Sequence, residues 1–190
     1  MSDEKLLQQF VDVFERLDEL LALDDTPAEM LVEQTTETWD SWNEPRAWKP
    51  MRQETDASAL EPLYLKLPGF LPQLYEQLVL HWRWLEVDLG SLVLWANPPG
   101  PGLTKLAATL WRDPVLTATL IPAGYVPFGR STIDYDPLCF DLNRMNADQD
   151  CPIVQFEHEA ILCHSKIGAQ AERWPSFRAL MTEVVASADR

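Results

Sequence analysis

Residues 124–142, GYVPFGRSTIDYDPLCFDL, contain the clearest fold signal in the chain. Aromatic and β-branched residues at 125–129 and 137–142 indicate two short strands, and the polar cluster at 131–136 between them is typical of a turn. A third strand candidate follows at 152–156, after a second polar cluster. Short strands that follow one another along the chain, each joined to the next by a turn, favour an antiparallel meander.

Helix signals lie on both sides of these strands. Residues 72–83 begin with a proline that suits a first helical turn, and residues 103–120 are helical in composition with a break before Pro114. Residues 174–185 carry apolar side chains on one helical face, and residues 84–96 indicate strands that meet at a glycine-containing turn. This order of elements predicts an α+β fold, with a central antiparallel sheet and helices packed on one side of it.

Residues 1–62 are predicted to be an extension packed on a domain that spans residues 63–190. Apolar residues at 6–21 recur at helical spacing with acidic residues between them, which indicates an amphipathic helix. The rest of the extension is polar and acidic, with partial helical character at 28–34. We expect three tryptophans to hold this segment against the domain, namely Trp39, Trp42 and Trp48.

The composition predicts one folded domain in the cytoplasm. A chain of 190 residues that is 46% hydrophobic can bury a substantial core without disulfides or metals. Its first residues, MSDEKLLQQF, are acidic where a signal peptide is basic. No apolar run approaches the roughly 18 residues of a membrane-spanning helix, so no membrane association is expected.

The net charge of −15 is concentrated in the first third of the chain. Residues 1–60 hold 15 of the 30 acidic residues and five of the 15 basic ones. Such a field repels phosphate backbones, so nucleic-acid binding is not expected. It favours either a protein partner with a basic surface or simply a well-solvated exterior.

The cysteines and the glycine-rich segment give no metal or cofactor signal. Cys139, Cys151 and Cys163 are widely spaced without a C-x-x-C pair, so we expect reduced thiols in the core and no metal. Residues 100–105, GPGLTK, lack the spacing of a phosphate loop and contain a proline that has no N–H to donate. We therefore expect no bound nucleotide or other cofactor.

Catalysis has one candidate centre, at Glu157-His158-Glu159. An imidazole between two carboxylates could serve as a general base. The sequence shows no nucleophile elbow, zinc-protease motif or dinucleotide fingerprint to complete a mechanism. A structural or solvent-facing His158 and a non-catalytic protein are expected.

Aromatic and charged residues near turns are the candidates for partner contact, because aromatic anchors and acidic flanks are common at interfaces. Asp134, Asp136 and Asp141 lack the glycine and glutamate of a calcium loop, which leaves turn capping or partner contact. Trp82 and Trp84 cannot share one helical face, so at least one is expected at a helix end or an exposed rim. The full set of predicted contact residues is Trp82, Trp84, Asp88, Arg130, Asp134, Tyr135, Asp136, Glu157 and Glu159.

Several short motifs follow one another in a specific order over residues 65–188. They are Leu71-Pro72 with Tyr75, Phe128-Gly129-Arg130, Tyr135-Asp136-Pro137, Phe140-Asp141, Pro152-Ile153-Val154 and Ser176-Phe177. In these motifs and their order the chain resembles the SUKH superfamily of Smi/Knr-like domains. The acidic extension at residues 1–60 and the linker at 97–102 depart from the family pattern.

The resemblance implies a bacterial immunity protein that binds and neutralises a cognate antibacterial toxin. The alternative is a regulatory or scaffold module, with the amino-terminal helix as a docking element. Under either function the same helix is a candidate homodimer contact. Physically, we expect Phe128, Gly129 and Phe140 to shape the sheet. Arg130 and Tyr135 are then left at its rim for contact, together with Asp136.

Overall fold

The computed structural model describes residues 2–17, 20, 22, 25–32 and 47–188. Within this part of the chain the fold is mixed α and β, as predicted. The α-helices are α1 (Asp3–Glu15), α2 (Glu61–Tyr64), α3 (Gln73–His81), α4 (Thr104–Leu110), α5 (Pro114–Leu120), α6 (His158–His164) and α7 (Phe177–Ala188). The strands are β1 (Met51–Arg52), β2 (Trp82–Arg83), β3 (Val87–Asp88), β4 (Val93–Leu94), β5 (Tyr125–Arg130), β6 (Pro137–Asp141), β7 (Ile153–Phe156) and β8 (Gln170–Trp174).

Strands β3 to β8 form one six-stranded sheet in chain order, and every neighbouring pair is antiparallel. The predicted meander is therefore confirmed. The longest pairing joins β5 to β6, where Val126 lies opposite Phe140 and the register shifts between Pro127 and Gly129. A Cβ atom on Gly129 would lie 2.7 Å from the carbonyl oxygen of Val93, so only glycine lets β4 approach this closely.

One face of the sheet carries an aromatic core. The rings of Phe128 and Phe140 are stacked at 4.1 Å, and both pack against Tyr75 of α3 and Phe177 of α7. Phe10 of α1 meets Phe177 edge-to-face, with ring centroids 6.3 Å apart. Such pairs contribute about 0.5–1.5 kcal/mol each beyond the burial of their area. Phe128 and Phe140 therefore also join the sheet to α3 and α7, and Phe177 links α1 to the same cluster.

The opposite face of the sheet is also covered, so the prediction of helices on one side only is wrong. Cys139 of β6 and Val154 and Phe156 of β7 belong to a second, smaller apolar cluster. Helices α5 and α6 cover it through Leu116, Leu120 and Ile161. All positions of β6 and β7 are buried. Because successive side chains of a strand point to opposite faces of the sheet, both faces need apolar cover.

Helix α1 is part of the main core, because its buried residues include Leu6, Phe10 and Phe14. It ends at Glu15, one to two turns before the predicted end at Leu21, which lies outside the described residues. Its apolar face packs against α7 and α3 within the same chain. That face is therefore not free for docking or for a homodimer contact.

The remainder of the extension is only partly described. Trp48 is buried and pairs with Leu31 in an isolated β-bridge, which agrees with its expected role as an anchor. The predicted helical segment at 28–34 reduces to a 3-10 turn at Ala28–Met30, with residues 33 and 34 outside the described part. Trp39 and Trp42 also lie outside it.

Helices α3, α4, α5 and α7 lie near the segments that the local signals predict, whereas α2 and α6 were not predicted. α5 begins at Pro114, and the Asp113 carboxylate accepts hydrogen bonds from the N–H groups of Val115 and Leu116, both at 2.9 Å. α3 ends at His81, earlier than predicted, because the next two residues pair with β1 as strand β2. Among the described residues, no helix is long and apolar enough to cross a membrane.

Candidate protein-contact surface

The loop at residues 131–136, which joins β5 to β6, presents two large side chains to solvent. Ile133 is 86% exposed and Tyr135 is 64% exposed. Both residues lie between strands whose own side chains are largely buried. Apolar and aromatic groups held in this way on a folded sheet are typical anchors of protein interfaces. We refer to residues 131–136 as the contact loop.

Polar groups at the base of the contact loop fix its shape. The N–H of Ser131 donates to the carbonyl oxygen of Asp136 at 2.8 Å, and the Ser131 hydroxyl bonds to the Asp134 carboxylate. Thr132 Oγ1 donates to the carbonyl oxygen of Gly90 at 3.1 Å, which ties the loop to the β3–β4 turn. The loop is therefore closed at its base and attached to a neighbouring hairpin.

The carboxylate of Asp136 connects the contact loop to α6 and to β7. One oxygen accepts from the backbone N–H of His158 at 2.9 Å and from His158 Nδ1 at 2.8 Å. The other accepts from Gln155 Nε2 at 2.9 Å. Burial raises the pKa of Asp136, but the hydrogen bonds from Gln155 and His158 outweigh it and leave the pKa below its ordinary value of 3.8.

Asp136 is itself buried, with 9% of its surface exposed. The prediction that it contacts a partner directly is therefore corrected to a role in holding the contact loop. Asp134, beside it, is exposed and retains the predicted position at the surface. Two roles were predicted for these aspartates, namely turn capping and partner contact. The structure gives Asp136 the local hydrogen-bonding role, and contact with a partner stays a prediction for Asp134.

Gln155 extends the network to the edge of the sheet. It lies opposite Leu138 on one side and Ala171 on the other, and its Oε1 accepts a 2.7 Å hydrogen bond from Arg173 Nη1. No sequence pattern pointed to Gln155, because its role depends on a strand register that places it beside Asp136. Ile133 was also missed, because a single aliphatic residue in a polar turn is common on protein surfaces and does not by itself indicate a contact.

Arg130 supports the aromatic side of the contact loop. Its guanidinium lies 4.7 Å from the ring centroid of Tyr135 and 3.3 Å from a Glu86 carboxylate oxygen. Arg112 also bonds to Glu86, at 2.6 Å. Tyr135 has a positive φ of 61°, a left-handed conformation that is unfavourable for a tyrosine. Arg130 and Tyr135 therefore lie together at the rim, as predicted, in a defined geometry.

In the Glu157-His158-Glu159 segment, the imidazole of His158 is not held by the two neighbouring glutamates. His158 contacts Asp136, whereas Glu157 and Glu159 are exposed at the start of α6. The Asp136–His158 pair orients the imidazole, and the same carboxylate binds the first backbone N–H of α6. Its described contacts thus join the contact loop to α6. No group of three metal-ligating side chains occurs within the described residues.

The remaining predicted contact residues separate into exposed and buried ones. Trp82 follows the end of α3, is half-buried and lies beneath the Arg52 guanidinium at 5.8 Å. Asp88 is exposed and accepts a 2.8 Å hydrogen bond from the N–H of Gly90 in the turn. Trp84 is fully buried, and its indole N–H donates to the carbonyl oxygen of Trp95. A side chain with no exposed surface cannot contact a partner, so Trp84 is a core residue.

The cysteines are free thiols, as expected, but they are not all in the core. Cys139 and Cys151 are buried, and Cys163 is exposed on α6. Burial raises the pKa of Cys139, and burial together with nearby aspartates raises that of Cys151 to about 12. Both buried thiols are therefore protonated and unreactive at neutral pH.

Comparison with known proteins gave no match to a protein-family model, a curated protein or a solved structure. The resemblance seen in the sequence motifs therefore stays a prediction.

Proposed function

We propose that the chain is a non-catalytic immunity protein, which binds a cognate antibacterial toxin in the producing cell and neutralises it. The observation that carries this proposal is the contact loop, because it holds Ile133 and Tyr135 exposed on a fixed base of hydrogen bonds. The motif resemblance to SUKH domains supplies the toxin as the class of partner.

The physical chemistry of the loop favours protein binding. Ordering a flexible side chain at an interface costs about 0.5–1.5 kcal/mol, and a preorganised loop avoids part of this cost. Tyr135 is already held by its backbone and by Arg130. Two apolar anchors beside exposed acids such as Asp134 suit a partner that has an apolar pocket near basic residues.

The overall charge supports the same class of partner. A net charge of −15 accelerates encounter with a basic protein at low ionic strength and weakens association with nucleic acid. Reversing the charge of Asp134, whose carboxylate also bonds to the Ser131 hydroxyl, should therefore slow association. Asp136 is unsuitable for this test, because its carboxylate holds the contact loop in place.

Co-expression with the product of the neighbouring gene tests the proposal. That protein should stop bacterial growth when expressed alone, and growth should recover when this chain is present. Absence of rescue, with both proteins soluble, contradicts the immunity function. Binding without any toxicity of the neighbour would instead favour the regulatory interaction module.

Substitutions in the contact loop test where the partner binds. Tyr135→Ala and Ile133→Ser should each weaken binding by about tenfold or more, as expected for interface anchors. Phe70→Ala is the matched control, because Phe70 is 71% exposed in a different loop. Equal binding by all three variants would exclude the contact loop as the interface.

A further inference from the structure

Arg83 of β2 is fully buried, and among the described residues no carboxylate contacts it. Its guanidinium donates to neutral acceptors instead. Nη1 donates to the carbonyl oxygens of Val79 at 2.5 Å and of Trp82 at 2.8 Å, and Nη2 donates to the hydroxyl of Thr55. Burying a charge is costly unless polar groups replace the water that it loses. The surroundings of Arg83 therefore have to supply polar partners.

Two buried polar atoms in this region have no hydrogen-bond partner within the part of the chain that the structure describes. They are the donor Arg83 Nε and the acceptor Gln53 Oε1. Leaving a buried donor or acceptor unsatisfied costs its full desolvation free energy, and proteins commonly satisfy such groups with ordered water. One of these two atoms can give the hydrogen bond that the other needs, directly or through a bridging molecule.

The strand pairing places the two side chains next to each other. Arg83 lies opposite Met51, and its guanidinium reaches the hydroxyl of Thr55. The N–H of Gln53 donates to the carbonyl oxygen of His81 at 2.9 Å, so the paired backbone continues past β1. Residues 52 and 54 are exposed and residues 51, 53 and 55 are partly buried, as expected when alternate side chains share one side. The Arg83 side chain therefore runs past Gln53 on its way from Met51 to Thr55.

The amide of Gln53 is oriented by Gly100, since Gln53 Nε2 donates to the carbonyl oxygen of Gly100 at 3.3 Å. The reversed amide would place two oxygen atoms against each other, so Oε1 is the atom that remains. Arg83 Nε and Gln53 Oε1 form no direct hydrogen bond. A molecule that connects them must accept a hydrogen bond on one side and donate one on the other.

We propose that Arg83 Nε and Gln53 Oε1 hold one water molecule between β2 and residues 51–55. The water accepts a hydrogen bond from Nε and donates one to Oε1, which satisfies both atoms. An anion is a poorer occupant because Oε1 is itself an acceptor, and a cation is repelled by the guanidinium. Water is the small molecule that matches both partners.

The water site joins residues 51–55 to the rest of the fold. Through the water and through Nη2, Arg83 is connected to Gln53 and Thr55, and Gln53 is connected onward to Gly100. A buried water with fixed partners is part of the structure and is costly to remove. This inference is independent of the toxin as partner, because it concerns only contacts within the chain.

A crystal structure of the whole chain at a resolution that shows ordered water is the first test. An ordered water within about 3.2 Å of both Arg83 Nε and Gln53 Oε1 supports the proposal. A direct hydrogen bond between the two side chains overturns it, and so does density for an ion, for another protein group or for nothing at this position.

Oxygen-17 magnetic relaxation dispersion tests the same site in solution, because it counts water molecules that stay bound far longer than those at the surface. Gln53→Met removes the amide oxygen and keeps a side chain of similar length, so this variant should lose one long-lived water. Arg52→Met is the matched control at the neighbouring, exposed position of β1, and it should keep the wild-type number. Equal numbers in the wild type and Gln53→Met overturn the proposal. If Gln53→Met does not fold, the crystal structure of the wild type decides.

Discussion

The strands and the contact loop lie within the same 19 residues, yet different interactions hold them in place. In β5 and β6, Phe128 and Phe140 stack in a core that excludes water. In the contact loop, the carboxylate of Asp136 accepts three hydrogen bonds, while Ile133 and Tyr135 face solvent. The difference implies that the fold depends on apolar packing, whereas the surface depends on a polar network that can be altered separately.

The largest expected effect is that of Phe140→Ala, because it breaks the apolar half of this comparison. Removing a fully buried ring should lower the free energy of unfolding by about 3–5 kcal/mol. Urea denaturation measures this change. Cys139→Ala is the control on the same strand and the opposite face, and it should cost about 1 kcal/mol. Similar losses in the two variants would contradict a dominant aromatic face.

A smaller loss is expected from Asp136→Ala, which breaks the polar half. The substitution leaves the backbone N–H of His158 without its acceptor and leaves Gln155 Nε2 with only its longer contact to Asp134, at 3.4 Å. Unsatisfied buried groups cost about 1–3 kcal/mol. Ile133→Ala shortens an exposed side chain in the same loop that takes no part in the network, and it should change stability by less than about 0.5 kcal/mol. Thermal unfolding of the two variants compares them directly, and equal stability would show that the network does not hold the loop.

Tyr135 allows the backbone and the side chain of the contact loop to be separated. Its φ of 61° is unfavourable for any residue with a Cβ atom, so Tyr135→Gly should be more stable than Tyr135→Ala by about 1 kcal/mol. Both variants lack the exposed ring and should bind the partner weakly. A glycine variant no more stable than the alanine variant would mean that the loop relaxes to a different conformation.

The sequence predicted the central strands well because their signals are local. Alternating aromatic and β-branched residues between polar turns placed β5, β6 and β7 to within one or two residues. By contrast, α6 and β8 were missed, since residues 162–173 are exposed and carry little periodicity. Tertiary contacts define these elements, such as that of Asp136 with the first turn of α6 and that of Glu172 with Arg144.

Only the part of the candidate surface that has a local sequence signal was predicted. The polar turn between two clear strand signals located the loop that contains Tyr135. Arg130, which directly precedes this turn, was expected at the rim of the sheet and lies there beside Tyr135. Sequence spacing could not show that Asp136 faces inward, because this depends on the alignment of β6 with β7. Nor could it distinguish Trp82 from Trp84, since burial of one and not the other is set by the packing of β2 and the chain that follows.

The smallest expected effect is on the pH dependence of the unfolding free energy, and it arises from the polar network around Asp136. Asp136 has a pKa below its ordinary value of 3.8 in the folded chain, so the unfolded chain binds its proton more readily. Its stabilising contribution is therefore present above about pH 4 and is lost as the pH falls through the lower, folded pKa. The difference in unfolding free energy between the wild type and Asp136→Ala should shrink over that acid range.

Urea denaturation at a series of pH values isolates this residue, because the other carboxylates titrate in both proteins. A difference that stays constant down to pH values well below 3.8 would mean that the hydrogen bonds from Gln155 and His158 do not favour the ionised carboxylate over the protonated one.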